Sequence, residues 1–151
     1  MAESVARKDW EPIQQFSIFA DNKVGRMNEL LQRMAQRDIH VMAISVLDTT
    51  ENTIIRVVVD YPKFARELFQ DYEYAFTETL VIAVELVTEA DIRKVTQTLM
   101  EAEINIHYLY PFFSRPNGRS GLILSVDDPE LAETVLSACG LKVLSQMDIS
   151  R

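Results

Sequence analysis

Phe16–Leu31, FSIFADNKVGRMNELL, is the stretch from which the rest of the chain can be read. A short apolar run (Phe16, Ile18, Phe19, Ala20) gives way to Asp21-Asn22-Lys23 and then to Val24-Gly25-Arg26. Apolar residues return at helical spacing as Met27, Leu30, Leu31 and Met34. The pattern is strand, tight turn, helix. The first N–H groups of a helix lack intrahelical partners and the dipole there favours negative charge, so the turn suits a ligand carboxylate. Gly25, with no Cβ, permits a positive φ or a close backbone approach. Asp21 and Asn22 offer oxygens to an ammonium group, and together these features suit a zwitterion. The competing reading is structural: Asp21 or Asn22 caps the helix, and Gly25 relaxes the turn.

Composition bounds the remaining classes. The chain has 151 residues, 48% of them hydrophobic and 25% charged, as expected of a soluble globular protein with one domain or two small ones. A net charge of -8 with no Lys/Arg-rich run argues against nucleic acid as a partner, because gripping phosphates needs a basic surface. The single cysteine, Cys139, excludes an internal disulfide and reads as a small packing residue near a helix end. The opening MAESVARKDWEP has no apolar core of a secretory signal, and no apolar run approaches the length of a membrane span. A cytoplasmic protein without membrane contact is expected.

Residues 1–12 show no period and read as a tail, with Trp10 a candidate to dock on the first strand. After the opening strand and helix, Ile39–Leu47 reads as a strand apolar on both faces. DTTEN at 48–52 is a turn by composition, and TIIRVVV at 53–59 is a β-branched strand that pairs back on it. Asp60-Tyr61-Pro62 opens a helix with Phe64, Ala65, Leu68 and Phe69 as its buried stripe. Tyr74–Leu86 exceeds an ordinary strand of about five or six residues and is split near Thr79, one domain closing and the next beginning.

An internal repeat supports the split. Leu30 and Met34 recur as Val95 and Leu99, and at the same interval Asp38-Ile39-His40-Val41 recurs as Glu103-Ile104-Asn105-Ile106. After a slightly longer hairpin, Val59-Asp60-Tyr61-Pro62 recurs as Val126-Asp127-Asp128-Pro129. Each half reads strand–helix–strand–strand–helix–strand. The expected class is α+β: two tandem ferredoxin-like βαββαβ domains, 13–79 and 80–151, each an antiparallel sheet with its helices on one face. Each half, roughly 65 residues, has a small core, so the halves are expected to pair. Val81, Ile82, Val84, Leu86, Ile123 and Leu124 supply apolar surface that also points to a homodimer.

These features resemble the ACT family, small ligand-binding regulatory domains attached to many enzymes of amino-acid metabolism. The carrying segments are FSIFADNKVGRMNELL, RDIHVMAISV, the hairpin and DYPKFARELF, and the resemblance spans about residues 13–148 as two copies. It is strongest to stand-alone bacterial tandem ACT proteins that carry no catalytic domain. It implies an amino acid bound where the strand–helix loop of one copy meets the second strand of the other, with Asp21, Asn22, Lys23, Val24, Gly25, Arg26 and Met27 as the loop. In the second copy Glu89 and Ala90 stand where Val24 and Gly25 do, and the acids Glu89 and Asp91 would repel a carboxylate. That loop reads as a plain helix start, which leaves one site per chain.

Tyr108, Tyr110 and Phe112 share one strand face. The two tyrosines are candidate ligand-binding walls, with sheet packing as the alternative. Arg115 and Arg119 flank a Pro-Asn-Gly turn and read as a solvated hairpin tip. Asp127-Asp128 before Pro129 sits where a helix cap belongs. His40 and His107 lack companions at ligand spacing, so no metal is expected, and no cofactor is implied. No nucleophile–base set or phosphate loop is visible, so no catalytic residue is named and the chain reads as a non-enzyme. The first functional reading is a regulator that binds an amino acid and signals to a metabolic enzyme. The alternative is an interaction subunit resembling the small regulatory subunit of acetolactate synthase.

Overall fold

A computed structural model describes residues 10–21, 24–112 and 120–150. The element order is β1 (Ile13–Ala20), α1 (Arg26–Gln36), β2 (Val41–Asp48), β3 (Thr53–Val59), α2 (Pro62–Asp71), β4 (Ala75–Leu86), α3 (Ala90–Glu101), β5 (Ile106–Phe112), β6 (Ser120–Val126), α4 (Pro129–Ala138), β7 (Val143–Leu144) and α5 (Gln146–Ile149). It is an α+β chain whose registered strand pairs are antiparallel. No helix among the described residues is long and apolar enough to cross a membrane. The chain divides into two compact units, a first of 14–79 with 149–150, and a second of 80–148 with 10–13.

In the first unit β1 pairs with both β3 and β4, and β3 pairs with β2, giving the strand order β4-β1-β3-β2. One core cluster joins Phe16 and Ile18 of β1, Ile55, Val57 and Val59 of β3, Leu30 and Met34 of α1, and Ala65, Leu68 and Phe69 of α2. Spacing by two on the strands and by three or four on the helices brings these side chains to one place. Phe69 stands edge-on to Phe16 with centroids 5.2 Å apart, and contacts Tyr74 and Phe76 at 6.0 and 5.5 Å. Aromatic pairs of this geometry add about 0.5–1.5 kcal/mol beyond their burial.

The second unit repeats the plan: β4 pairs with β6 and β7, and β6 with β5, in the order β7-β4-β6-β5. Its core joins Ile82, Val84, Leu122 and Leu124 to Val95 and Leu99 of α3 and Ala132 and Leu136 of α4. Asp128 caps α4, its Oδ1 accepting the Leu131 N–H at 3.1 Å. Asp127 has a different job: it accepts the Asn105 backbone N–H at 3.1 Å and side-chain N–H at 2.9 Å, with His107 Nε2 3.0 Å away. Asp60 does the same in the first unit, accepting the His40 N–H at 3.0 Å. Cys139, half-buried, packs against this second core.

Three features differ from the sequence reading. β4 is one continuous strand of 12 residues through Thr79, because AFTETLVIAVEL contains no Gly or Pro to break it. Trp10 packs on the second unit's core rather than on β1, and its indole N–H donates to the Leu144 carbonyl at 3.2 Å. The six residues counted as surplus apolar surface are buried, apart from a half-buried Leu86, so the case for a homodimer loses its surface. The turn with Arg115 lies outside the described residues, as does Arg119.

Gly121 pairs with Glu85 of β4 and with Phe112 of β5. A Cβ there would fall 2.5 Å from the Val84 carbonyl oxygen and collide with the Phe112 ring. Gly121→Ala is therefore expected to destabilise the protein by about 1–3 kcal/mol, read by urea unfolding; an unchanged midpoint refutes this packing. Arg66 of α2 holds Glu78 at 2.6 Å and Gln14 at 2.9 Å. The Arg66 hydrogen bond pulls the Glu78 carboxyl below the ordinary carboxylate range. A depressed folded-state pKa contributes stability above the unfolded value, near 4.3, which is lost as pH falls through the folded value. Both groups are part-exposed, so Glu78→Gln should cost at most about 1 kcal/mol at neutral pH, and the difference from wild type should fade in acid. A pH-independent difference would contradict it.

Candidate functional site

The β1–α1 turn is built around Gly25, at φ 90° and ψ -7°, the left-handed region. This residue immediately precedes α1, and no side chain among the described residues caps the helix there. The first bond of the turn runs from the Glu29 N–H to the Gly25 carbonyl at 2.9 Å, so the N–H groups of Arg26, Met27 and Asn28 come ahead of the helix's own bonding. A Cβ on Gly25 would have nothing within 4 Å. Glycine is thus required here by backbone conformation, not by crowding.

Beside this turn lies an open cleft of about 490 Å3, lined by Ala20, Asp21, Val24, Gly25, Arg26, Met27, Asn28, Val46, Asp48, Thr53 and Ile55. Every lining residue belongs to the first unit. The strands explain why these positions meet. Ala20 pairs with Thr53 and Thr53 with Asp48, while Val46 pairs with Ile55. The end of β1, the start of β3 and the end of β2 therefore form the cleft's floor, and the start of α1 forms its wall.

Of the residues named from sequence, Asp21, Val24, Gly25, Arg26 and Met27 gather at the cleft. Asn22 and Lys23 lie outside the described residues. Tyr108 and Tyr110 do not line it; they stack in the second unit with centroids 6.4 Å apart and planes 20° apart, and Tyr110 is buried. Asp21 is not simply an open acceptor. Its Oδ1 receives the Arg26 Nε–H at 2.9 Å, and Arg26 also reaches Glu29 at 3.3 Å. The Asp21 hydrogen bond, then Glu29, raises the Arg26 pKa further. Ala20, Asn28, Val46, Asp48, Thr53 and Ile55 also line the cleft; Ala20 and Asn28 simply adjoin the turn, whereas only strand register reveals the other four. Asp48 looks like an ordinary turn residue in DTTEN, yet it faces the cleft and its Oδ1 accepts the Thr53 hydroxyl at 3.1 Å.

The equivalent turn of the second unit is built differently. Glu89, preceding α3, is right-handed helical at φ -57°. The Asp91 and Ile92 N–H groups already donate to the Thr88 and Glu89 carbonyls, both at 3.0 Å. Val87 and Thr88 donate their N–H groups to the Asp91 carboxylate, Val87 at 2.7 Å, holding it below the ordinary carboxylate range. The space there is smaller, about 310 Å3, and is bordered by Glu85 and Asp91 as well as two lysines. Among the described residues, no three His, Cys, Asp or Glu side chains cluster as metal ligands would.

Gly25→Ala should cost about 1–2 kcal/mol of stability, the penalty of forcing an L-residue into the left-handed region. Urea unfolding checks it; a loss well above that would mean the turn is crowded after all.

The sequence matches the family model described as an ACT domain pair over residues 11–151. No curated protein sequence matches it significantly. Among solved structures, protein BT0572 from Bacteroides thetaiotaomicron aligns with a TM-score of 0.83 at 23% identity, covering 93% of this chain and 96% of that one. The ligand-free regulatory subunit of aspartate kinase from Thermus thermophilus aligns with a TM-score of 0.60 at 17% identity, covering 92% and 99%. The corresponding subunit from Thermus flavus gives 0.58 at 19% identity, covering 86% and 91%. At these identities the likeness is one of fold.

Proposed function

Because the chain belongs to the ACT family as an ACT domain pair, we propose that it is a non-catalytic regulatory protein that binds an amino acid at the β1–α1 turn. In this reading each unit is a ferredoxin-like domain with its helices on one face. The observation that carries it is the cleft of about 490 Å3 at the start of α1. That is the size of small-molecule sites, and its mixed lining of apolar side chains with a few polar groups is their usual chemistry. The Arg26–Asn28 N–H groups supply donors for a carboxylate, and the helix dipole favours its charge. Asp21 orients Arg26 across the turn, keeping a cation at the cleft without leaving it unpaired. Regulation would follow from differential affinity: a ligand favours whichever arrangement of the chain it binds better, and a partner enzyme reads that arrangement.

Titration calorimetry with the common amino acids tests the reading. At least one should bind wild type at micromolar to millimolar strength, about -4 to -8 kcal/mol. Gly25→Val should abolish binding while the circular dichroism stays native, and Ala90→Gly should leave binding unchanged. If no amino acid binds wild type at millimolar concentration while an enzyme of amino-acid metabolism co-purifies stoichiometrically, the chain is an interaction subunit instead.

A further inference from the structure

The cleft floor has two rows of different chemistry. Ala20, Thr53 and Asp48 are registered across the sheet in the row nearest the turn. Two residues further along, Ile18, Ile55 and Val46 form the next row, and Ile18 and Ile55 continue straight into the core. Residues two apart on a strand lie about 7 Å apart, so a polar row and an apolar row sit one side-chain length from each other. Met27 and Val24 add apolar surface from the wall. Val24, Met27 and Val46 are 105%, 42% and 48% exposed, three large apolar side chains left open at one small-molecule-sized space. Two carboxylates border the polar end. Asp21 is committed to Arg26, whereas among the described residues Asp48 is held by the Thr53 hydroxyl and takes part in no ion pair.

We propose that the cleft selects an amino acid with an uncharged, apolar side chain, taking that side chain on Val46, Ile55 and Met27 and the ammonium group on Asp48. This rests on the reading of the cleft as an amino-acid site. The polar row and the helix start receive the zwitterion, and the apolar row receives what remains of the ligand. Acidic side chains are disfavoured by Asp21 and Asp48. A lysine side chain would leave its ammonium against Val46 and Ile55, with no counter-charge in that row.

Calorimetry on the full chain tests this with leucine, methionine and phenylalanine against lysine, glutamate and threonine, and with 4-methylpentanoate as leucine without its amine. The apolar three should bind at least ten-fold more tightly than the others. Val46→Ser should weaken leucine about ten-fold, as lost apolar contact would. Asp48→Asn should weaken leucine about ten-fold and leave 4-methylpentanoate within two-fold, since only the amino acid loses a charged partner. Both positions are exposed, so both variants should fold. Tighter binding of lysine, glutamate or threonine overturns the proposed selectivity but leaves an amino-acid site standing. Equal weakening of leucine and 4-methylpentanoate by Asp48→Asn overturns the role of Asp48. Binding of none of these ligands to wild type overturns this inference together with the reading beneath it.

Discussion

A carboxylate with 1% exposure has to be satisfied by the fold or it destabilises it, and Asp60 is such a group. Its Oδ1 accepts the backbone N–H groups of His40 and Tyr61, both at 3.0 Å, and its Oδ2 lies 2.9 Å from His40 Nδ1. The Asp60 N–H in turn donates to the His40 carbonyl at 3.1 Å, and its own carbonyl accepts the Ser150 hydroxyl. These bonds clamp the chain entering β2 to the chain leaving β3. Register between the two strands is thereby set at one end, and register decides which residues reach the cleft. A slip of one residue would turn Val46 and Asp48 to the other face and dismantle the floor.

The clamp also explains a feature that strand alternation hides. Val41 pairs with Val59, but Ala43 already pairs with Val58, so Met42 is an extra residue. The second unit does the same beside its own clamp, Ile106 pairing with Val126 and Tyr108 with Ser125, with His107 extra. A bulge of this kind reverses side-chain parity beyond it. Val41 before the shift and Ile44 after it accordingly both pack on the same core, although their spacing is odd. The apolar character of both faces of Ile39–Leu47 follows from this. Asp60 and Asp127 occupy equivalent places in the repeat, and so do the residues that bulge.

What the sequence carried was local order and repetition. The strand–Gly–helix turn, the recurrence of Asp38–Val41 as Glu103–Ile106, and the Val-Asp pair that ends each third strand were all legible. Each rests on short-range geometry or on comparison of the chain with itself. What it did not carry was pairing across distance. Asp48 belongs to the cleft only because β2 meets β3 at Thr53 and β3 meets β1 at Ala20. Composition cannot show that, and DTTEN looks like solvent-facing turn. The Asp21–Arg26 pair was hidden for a related reason: the left-handed Gly25 brings positions five apart within 2.9 Å, a fold-back that neither strand nor helix spacing anticipates. The docking of Trp10 is not legible in the sequence because its partner, the Leu144 carbonyl, is separated from it by nearly the whole chain.

The two units show how one plan supports two different helix starts. In both, a strand delivers the chain to a helix at the same point of the same strand order. In the second unit the problem of early N–H groups is solved internally. Glu89 keeps helical angles, the carbonyls of Thr88 and Glu89 accept from Asp91 and Ile92, and the Asp91 side chain gathers in the Val87 and Thr88 N–H groups. In the first unit Gly25 is left-handed, no comparable bond is made among the described residues, and the start of α1 fronts a cleft with exposed apolar side chains around it. Stability alone would favour the second solution, since satisfied N–H groups and buried apolar surface both lower the free energy of the folded chain. Retaining the costlier turn beside the larger space is consistent with a ligand that completes both the hydrogen bonding and the burial, which is where the proposed amino acid would draw its affinity.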